Sequence, residues 1–337
     1  MQLQKQVVEA LLTPMAYDEP PGQIELVQTH ISYVFLTKKL AYKVKKAVNF
    51  GFLDFETLEK RKYYCEKELQ LNKRLCGDMY IEVVPINKAE RIKIAGEGKT
   101  VEYALKMKRM PQERIMTRLL EENMVDEKLI TNIARIIAEF HSKTETNDKI
   151  SRFGSLEVIK TNWVENFDQT QSVVDKTISK KDFEVIQNKI NLFMNKNSFL
   201  INKRIIEGKV RDCHGDIHSG NIFVTDRVYI FDAIEFNERF RYSDVAADVA
   251  FLAMDLDFKN ESDLSDLFVN KYIESSGDQE LKKLLSFYKC YRAYVRGKVV
   301  GFKLHDPNVG SEEKRKASDE AQAYFKLAAS YAKKFDL

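Results

Sequence analysis

The chain has 337 residues, of which 44% are hydrophobic and 31% are charged, and its formal net charge is +3. This length allows one large domain or two unequal lobes with a sizeable core. The small and mixed charge does not indicate nucleic-acid binding, which would need clustered basic residues. The four cysteines form no Cys-x-x-Cys pair, so they indicate neither a disulfide framework nor a zinc site and favour a cytoplasmic location.

The first residues predict a helix rather than a targeting segment. The run MQLQKQVVEALL carries a glutamate within its apolar part, and no small-residue cleavage site follows it. An amphipathic helix ended by Pro20 and Pro21 is therefore expected. No apolar run approaches the roughly 20 residues that span a bilayer, so no membrane association is expected.

Residues 1–110 have the pattern of a small α+β lobe. Apolar and polar residues alternate on both sides of TKK between Ile31 and Val48, which predicts a hairpin of two strands. A helical spacing of apolar residues follows over 55–75. Residues 79–110 are rich in β-branched residues and predict three further strands.

Helical patterns dominate residues 111–337, with helices predicted over 155–167 and 182–203 among others. The strand-like run NIFVTDRVYIFDAIEF interrupts these helices. Pro111 stands where the pattern changes and predicts a hinge between the two lobes.

The stretch GEGKT, residues 96–100, ends like a phosphate-binding loop. The full motif requires a glycine at the position of Lys93 and a helix after the threonine, whereas a strand pattern follows here. A hairpin turn is therefore the favoured interpretation.

His214 and His218 have the i, i+4 spacing of two zinc ligands on one helical face. Gly215 and Gly220 disfavour a helix at this point, so a two-histidine metal site is not the preferred interpretation. Ser219 lies in no Gly-x-Ser-x-Gly motif, which makes a hydrolase triad weaker still.

The segment from Asp216 to Asp232 fits phosphoryl transfer better. Asn221 follows Asp216 by five positions and enters one predicted strand, and Asp232 ends the next strand. In phosphoryl transfer one acid takes the proton of the acceptor hydroxyl, while an amide and a second acid hold Mg²⁺ on the nucleotide phosphates. The alternative is that Asp216 and Asn221 serve turn hydrogen bonds and Asp232 caps a strand.

The motifs HGDIHSGNIF, IFDAIEF and RYSDVAADVAFL together resemble the aminoglycoside phosphotransferase and choline kinase-like family of small-molecule kinases. More narrowly, ISYVFLTKKLAYKVKKAVNFGFLDF, LNKRL and DVAADVAFLAMDL resemble the phosphotransferase domain that some bacterial proteins carry fused to a P-loop ATPase domain. The resemblance implies a two-lobed protein-kinase-like fold of the α+β class, with a nucleotide-binding lobe over 1–110 and a catalytic and substrate-binding lobe over 111–337. It also implies ATP and Mg²⁺ as cofactors.

The resemblance further implies roles for residues of the loop. Asp216 resembles the catalytic base, and Asn221 and Asp232 resemble the magnesium ligands. His214 resembles the histidine that braces the loop, and His218 matches a supporting histidine close to the site.

Two acids beyond the loop also match the family pattern. Glu235 recurs there as an acid, with a role toward either the metal or the acceptor. Asp248 resembles the helix acid that hydrogen-bonds back to the catalytic loop, and Asp244, one turn earlier, could share that task.

In the first lobe, Lys43 resembles the strand lysine that binds the α- and β-phosphates. Lys45 lies two residues along on the same face and is the alternative, while a solvated basic strand edge would explain both. Glu68 resembles the glutamate that pairs with that lysine. Met107 to Met110 resemble the hinge segment that binds the adenine ring.

The chain departs from protein kinases in one respect. Its first hairpin contains Thr29, His30 and Ser32, where protein kinases cover the phosphates with a Gly-x-Gly-x-x-Gly loop. The Ser32 hydroxyl and backbone amides are the expected replacement.

These features predict an ATP- and Mg²⁺-dependent kinase that phosphorylates a hydroxyl of a small molecule, such as an aminosugar, a sugar or an amino alcohol. Glu235, Glu238 and Asp244 would suit a cationic acceptor, whereas Arg239 and Arg241 would weaken such a pocket. The alternatives are a nucleotide-binding regulatory module or pseudokinase that acts through a protein partner, and a protein kinase.

Overall fold

The structure, a computed structural model, describes residues 2–306 and 309–335. The elements up to residue 108 are α1 (Gln2–Leu11), β1 (Glu25–Gln28), β2 (Ser32–Leu36), β3 (Leu40–Lys45), α2 (Leu58–Cys76), β4 (Tyr80–Lys88), β5 (Ile92–Ile94) and β6 (Lys99–Lys108). A helical stretch follows, with α3 (Met116–Glu121), α4 (Glu127–Lys143), α5 (Asp148–Ser151), α6 (Leu156–Thr170), α7 (Lys180–Lys196) and α8 (Ser198–Ile206). The remaining elements are β7 (Val210–Asp212), β8 (Ile222–Val224), β9 (Val228–Ile230), α9 (Glu238–Arg241), β10 (Tyr242–Asp244), α10 (Val245–Phe258), α11 (Ser262–Ser276), α12 (Leu281–Gly301) and α13 (Ser311–Lys333).

The chain forms two compact units. The first contains residues 1–119 and 220–238, and the second contains residues 120–219 and 239–337. The first unit therefore extends past residue 110, where the sequence pattern changes, and it also includes β8 and β9. The assignment of nucleotide binding to one part of the chain and catalysis to the other stays a prediction.

The first unit is built on a six-stranded antiparallel sheet with the strand order β1-β2-β3-β6-β4-β5. Because strand residues alternate between faces, Tyr42 and Val44 of β3 pack in one apolar cluster with Val7 and Leu11 of α1. Ala41 of β3 belongs to a second cluster that includes residues of α2, β8 and β9. The sheet thus buries apolar side chains on both faces.

Most of the predicted elements of this unit are confirmed. The hairpin β2–β3, helix α2 and strands β4 to β6 lie where the periodicity placed them, whereas β1 was not predicted and α1 ends at Leu11, before Pro20. The glycines of the GEGKT stretch lie in the turn between β5 and β6, as expected, and its Lys99 and Thr100 begin β6. Gly98 has a φ of 99° there, and a Cβ atom would lie 2.4 Å from the carbonyl oxygen of Lys88, so glycine is required.

The second unit is mainly helical and is organised around α10. Every residue of α10 from Val245 to Leu256 is buried, because the helix is apolar nearly all round and packs against α11 and α12. The predicted helix over 182–203 is divided near Asn197 into α7 and α8. The segment around His214 and His218 is not helical, which confirms the interpretation drawn from its glycines.

Within residues 2–306 and 309–335, no helix combines the length and the apolar character needed to cross a membrane. The four cysteines all belong to the described part of the chain, where they are buried and form no disulfide bond.

Candidate active site

Lys43 and Lys45 lie on β3 and both contact Glu68 of α2. Alternate residues of a strand face the same side, so the two ammonium groups point toward α2 together. Lys43 Nζ lies 2.8 Å from Glu68 Oε1, and Lys45 Nζ lies 2.6 Å from Glu68 Oε2. Lys43 and Lys45 were alternatives for the phosphate-binding lysine in the sequence, and Glu68 pairs with both of them.

The two lysines differ in their second partner and in their exposure. Lys43 Nζ also lies 2.6 Å from Asp232 Oδ1, and the Lys43 side chain is 12% exposed. Lys45 pairs with Glu235 instead, lies 4.8 Å from the centroid of the Phe55 ring, and is only 1% exposed. Lys43 consequently has the better access to a ligand, whereas protein atoms enclose Lys45.

These ion pairs determine which groups carry charge. Burial disfavours a charged Glu68, but Lys43 and Lys45 outweigh burial and lower the pKa of Glu68 to about 2. Burial also opposes a charged Lys43, yet the carboxylates of Asp232 and Glu68 raise the pKa of Lys43 well above its ordinary value. For Glu235, burial outweighs the attraction of Lys45, so its pKa is raised. Lys43 and Glu68 are therefore ionised at neutral pH.

Asp232 follows β9 with a left-handed backbone, at a φ of 66°. Residues other than glycine adopt this conformation rarely, and the surrounding structure must hold them in it. Helix α2 does so on both sides: Asn72 Oδ1 accepts a hydrogen bond from Ala233 N at 3.0 Å, and Cys76 Sγ donates to Ile230 O at 2.9 Å. The Asp232 side chain is 42% exposed, so its carboxylate can meet a ligand.

Asn221 immediately precedes β8 and lies opposite Phe231, the residue before Asp232. Its carbonyl oxygen accepts a hydrogen bond from Phe231 N at 2.9 Å, and β8 and β9 pair in antiparallel register. The hairpin therefore brings the backbones of Asn221 and Asp232 close together. Amide and carboxylate oxygens are ligands that Mg²⁺ accepts in proteins, so this donor set fits that ion.

Ser32 and Met110 are both buried in the first unit. The Thr29 hydroxyl accepts a hydrogen bond from Ser32 N at 3.0 Å and so closes the turn between β1 and β2. The Ser32 hydroxyl is enclosed and has no hydrogen-bond partner among the residues that the structure describes. Met110 packs in an apolar cluster with Leu105 and Met107. Contacts of Ser32 and Met110 with a nucleotide stay predictions.

In the second unit, Asp248 of α10 holds the backbone that precedes Asp216. Its two carboxylate oxygens accept hydrogen bonds from the N–H groups of His214 and Gly215, each at 2.8 Å. Burial opposes the charge of this carboxylate, but His141 and then Arg292 outweigh burial and lower the pKa of Asp248 to about 2. These contacts match the role that the family resemblance implies for Asp248.

Asp216 lies beside two histidines. The buried His214 accepts a hydrogen bond at Nδ1 from Asp216 N at 3.3 Å, and His218 Nε2 lies 3.5 Å from Asp216 Oδ2. Burial opposes the charge of Asp216, but His218 and Arg296 outweigh burial and lower the pKa of Asp216 to about 2. Since its side chain is 32% exposed, Asp216 is an accessible carboxylate that can accept a proton from a bound hydroxyl.

Residues that sequence reasoning did not single out complete this loop. Arg292 of α12 donates a hydrogen bond from Nη1 to Gly215 O at 2.9 Å, and Asp255 Oδ2 accepts one from Ser219 N at 2.8 Å. Asp255 follows Asp248 by seven residues, a spacing that places both acids on one helical face and could have identified it. Arg292 lies within a helix rich in tyrosine and basic residues, and its position carries no comparable signal.

Asp244 does not share the task of Asp248. It caps the N-terminus of α10 by accepting a hydrogen bond from Ala246 N, and it forms a two-pronged ion pair with the buried Arg204. The expectation drawn from its position one turn before Asp248 is therefore wrong, because the capping geometry turns its carboxylate toward Arg204.

His141, Cys213 and Asp248 offer a nitrogen, a sulfur and an oxygen within 4.8 Å of one another, as a metal site would. Both oxygens of Asp248 already accept backbone hydrogen bonds, and His141 Nδ1 lies 2.8 Å from the Tyr272 hydroxyl. Burial raises the pKa of Cys213 well above its ordinary value, which disfavours the thiolate that a metal binds. The group therefore acts as a hydrogen-bonded brace.

The amino-acid sequence of this chain is similar to those of mycobacterial proteins. No family model matches it. Uncharacterized proteins of Mycobacterium tuberculosis and Mycobacterium bovis are 32% identical over 301 residues, which is 88% of this chain and 59% of theirs. The chain thus spans less than two thirds of the length of these relatives.

Solved structures of other proteins resemble almost the whole chain, and two of them show this similarity. A choline/ethanolamine kinase family protein from Mesorhizobium loti has a TM-score of 0.54 at 10% identity and covers 99% of this chain and 100% of its own. A Ralstonia eutropha protein assigned to the aminoglycoside phosphotransferases has a TM-score of 0.53 at 12% identity, with 99% of both chains covered. The chain therefore has the protein-kinase-like fold of these two groups, which confirms the predicted fold class.

Proposed function

We propose that the protein is an ATP- and Mg²⁺-dependent phosphotransferase that transfers the γ-phosphate to a hydroxyl of a small molecule. The observation that carries this proposal is the contact of Lys43 Nζ with both Glu68 and Asp232. A strand lysine paired with a helix glutamate, beside an acid that can hold Mg²⁺, is the arrangement with which kinases bind nucleotide phosphates. The family resemblance of the sequence and the shared fold point to the same chemistry.

The residues take separate tasks in this reaction. Lys43 binds the nucleotide phosphates, and Asn221 and Asp232 hold Mg²⁺, which neutralises charge on those phosphates when bound. Asp216 accepts the proton of the acceptor hydroxyl as the oxygen forms its bond to phosphorus and the bond to the ADP oxygen breaks. Asp248, His214 and Arg292 keep the backbone around Asp216 in place.

Two other functions fit less well. A regulatory module or pseudokinase acting through a protein partner has no chemical need for an accessible, ionised Asp216 beside His218. A protein kinase needs a long activation segment, whereas only eleven residues separate Asp232 from Asp244 in the sequence. A small-molecule acceptor is therefore the preferred partner.

Ligand binding and phosphate transfer together test the proposal. The unfolding temperature is measured with ATP, with ATP and Mg²⁺, and with Mg²⁺ alone, since a ligand at 100 times its dissociation constant stabilises the folded protein by about 2.7 kcal/mol. We expect stabilisation by ATP that increases with Mg²⁺. Transfer from labelled ATP is then followed across sugars, aminosugars, amino alcohols, hydroxy acids and a peptide. Absence of any ATP-dependent stabilisation would refute the proposal.

A further inference from the structure

Arg296 is a partly buried cation of α12 in the second unit. Its guanidinium carbon lies 5.7 Å from the centroid of the Tyr324 ring. The Tyr324 ring is itself packed against Phe258. The two rings are stacked, with centroids 3.7 Å apart and an interplanar angle of 7°. A guanidinium positioned in this way loses little freedom when it binds a ligand.

Arg296 differs from the buried arginines of this unit in its partners. Arg204, Arg241 and Arg292 each have a carboxylate oxygen within 4.0 Å. Among residues 2–306 and 309–335, no carboxylate lies that close to the guanidinium of Arg296. A guanidinium that is partly exposed and has no carboxylate this close can pair with an anion supplied from outside the chain.

The position of Arg296 on α12 places it toward Asp216. Arg292 lies one helical turn earlier on the same face, and its Nη1 donates to the carbonyl oxygen of Gly215, the residue before Asp216. Electrostatic attraction between Arg296 and Asp216 helps to lower the pKa of Asp216. Asp255 also attracts Arg296, although it is engaged by the backbone of Ser219.

We propose that Arg296 binds an anionic group, a carboxylate or a phosphate, of the molecule whose hydroxyl is phosphorylated at Asp216. This inference rests on the proposed function and specifies its acceptor class. A planar guanidinium can form two parallel hydrogen bonds to either group. The acceptor is then a hydroxy acid or a phosphorylated sugar or polyol. An aminosugar or a choline-like amine would place a second cation beside Arg296 and His218, which is unfavourable.

Arg296 could also bind the γ-phosphate of the nucleotide, which is an anion like the proposed acceptor group. The experiment therefore measures binding of the nucleotide and of a free anion separately. Binding of inorganic phosphate and of Mg²⁺–ATP is measured by calorimetry for the wild type and for Arg296→Gln, Arg296→Lys and Arg135→Gln. Arg135 is the matched control, because it is an exposed arginine of α4 in the same unit. Both glutamine variants lose one positive charge, and both keep any phosphate binding at other cations. A difference between them therefore reports on the Arg296 side chain itself.

We expect Arg296→Gln to weaken phosphate binding by about ten- to a hundredfold, the usual worth of a charge-assisted hydrogen bond. Arg296→Lys should weaken it less, and Arg135→Gln should leave it unchanged. Mg²⁺–ATP affinity should be the same in all four proteins. If wild type and Arg296→Gln bind phosphate equally, or if the wild type does not bind it, the assignment fails. A loss of Mg²⁺–ATP affinity in Arg296→Gln would assign the residue to the nucleotide and overturn the acceptor class.

Transfer assays complete the test with the matched acceptors glycerol, glycerate and glycerol phosphate, which share one hydroxyl-bearing skeleton. The proposal predicts transfer to an anionic member, with KM raised about ten- to a hundredfold by Arg296→Gln and far less by Arg135→Gln. Transfer only to glycerol, with no effect of Arg296→Gln, would contradict it. If no acceptor of any kind is phosphorylated, the proposed kinase function fails, while the phosphate-binding result still decides whether Arg296 is an anion site.

Discussion

Lys43 Nζ lies 2.8 Å from Glu68 Oε1, and the other oxygen of the same carboxylate binds Lys45. One glutamate thus holds two lysines of a single strand. Asp232 and Glu235, three positions apart, supply the second partner of each lysine. These four ion pairs connect β3, α2 and the segment after β9, so the fold of the first unit itself holds this group of charges together.

Replacing the two lysines should have different consequences. Lys43→Met removes the cation that has access to a ligand, so we expect turnover to fall by about 10²- to 10³-fold, the usual cost of losing one preorganised electrostatic contact. Lys45→Met removes the partner of buried carboxylates, so we expect a loss of unfolding free energy of about 3–5 kcal/mol. Steady-state kinetics and urea unfolding of both variants give the comparison. If the two changes had equal effects on turnover and on unfolding free energy, Lys43 and Lys45 would have the same role.

Glu235 should tolerate neutralisation better than Lys45. Burial already raises the pKa of Glu235, and a glutamine oxygen can still accept a hydrogen bond from Lys45. Glu235→Gln should therefore cost the protein less unfolding free energy than Glu235→Ala, which leaves Lys45 with Glu68 alone. Urea unfolding at neutral pH measures both variants. The prediction is wrong if glutamine and alanine destabilise the protein to the same extent.

Asp232→Asn separates the backbone role of Asp232 from its role toward a metal. Asparagine tolerates the left-handed conformation that Asp232 adopts at a φ of 66°, so the fold should be retained. The amide is a weaker magnesium ligand than a carboxylate, so nucleotide binding should require a higher Mg²⁺ concentration. Titration of Mg²⁺ at fixed ATP checks this, with Asp226→Asn, in the exposed turn after β8, as the control. An unchanged Mg²⁺ requirement would remove Asp232 from the metal site.

Asp248 should make the protein sensitive to acid. Its folded pKa of about 2 lies below the ordinary value near 4, so the unfolded chain binds the proton more readily. The stability that Asp248 contributes is therefore present above about pH 4 and is lost as the pH falls toward 2, in total about 2 kcal/mol. Asp248→Asn should lower stability at pH 7, because one amide hydrogen would face a backbone N–H, and should reduce the decline below pH 4. Urea unfolding between pH 2 and 7 provides the measurement. A decline as steep in the variant as in the wild type would exclude this origin.

The sequence was sufficient for most of the first unit, because its elements carry strong local signals. The hairpin of β2 and β3 alternates regularly, and α2 has a clear apolar spacing, so both were predicted. Strand β1 escaped because its residues Glu25 to Gln28 are mostly exposed and leave no periodic pattern. The break between α7 and α8 at Asn197 was missed for the opposite reason, since the helical spacing continues across it.

For the candidate site, the motif spacing indicated which residues belong together but not how they pair. Lys43 and Lys45 were alternatives in the sequence, whereas the structure uses both, since a buried carboxylate has two oxygens to satisfy. Arg296 left no trace in the sequence, because its significance comes from the absence of a carboxylate within 4.0 Å among the described residues and from its position over the Tyr324 ring. Such properties depend on tertiary contacts that a periodic pattern does not encode.

The assignment of Asp216 as the base of a phosphate transfer can be tested by replacing that carboxylate alone. The rate of transfer from labelled ATP to the best acceptor of the panel is compared for wild type, Asp216→Asn and the control Asp226→Asn. We predict a loss of about 10²- to 10⁴-fold for Asp216→Asn, with Mg²⁺–ATP binding preserved, and a wild-type rate for the control. Transfer by Asp216→Asn at the wild-type rate would show that Asp216 is not the base.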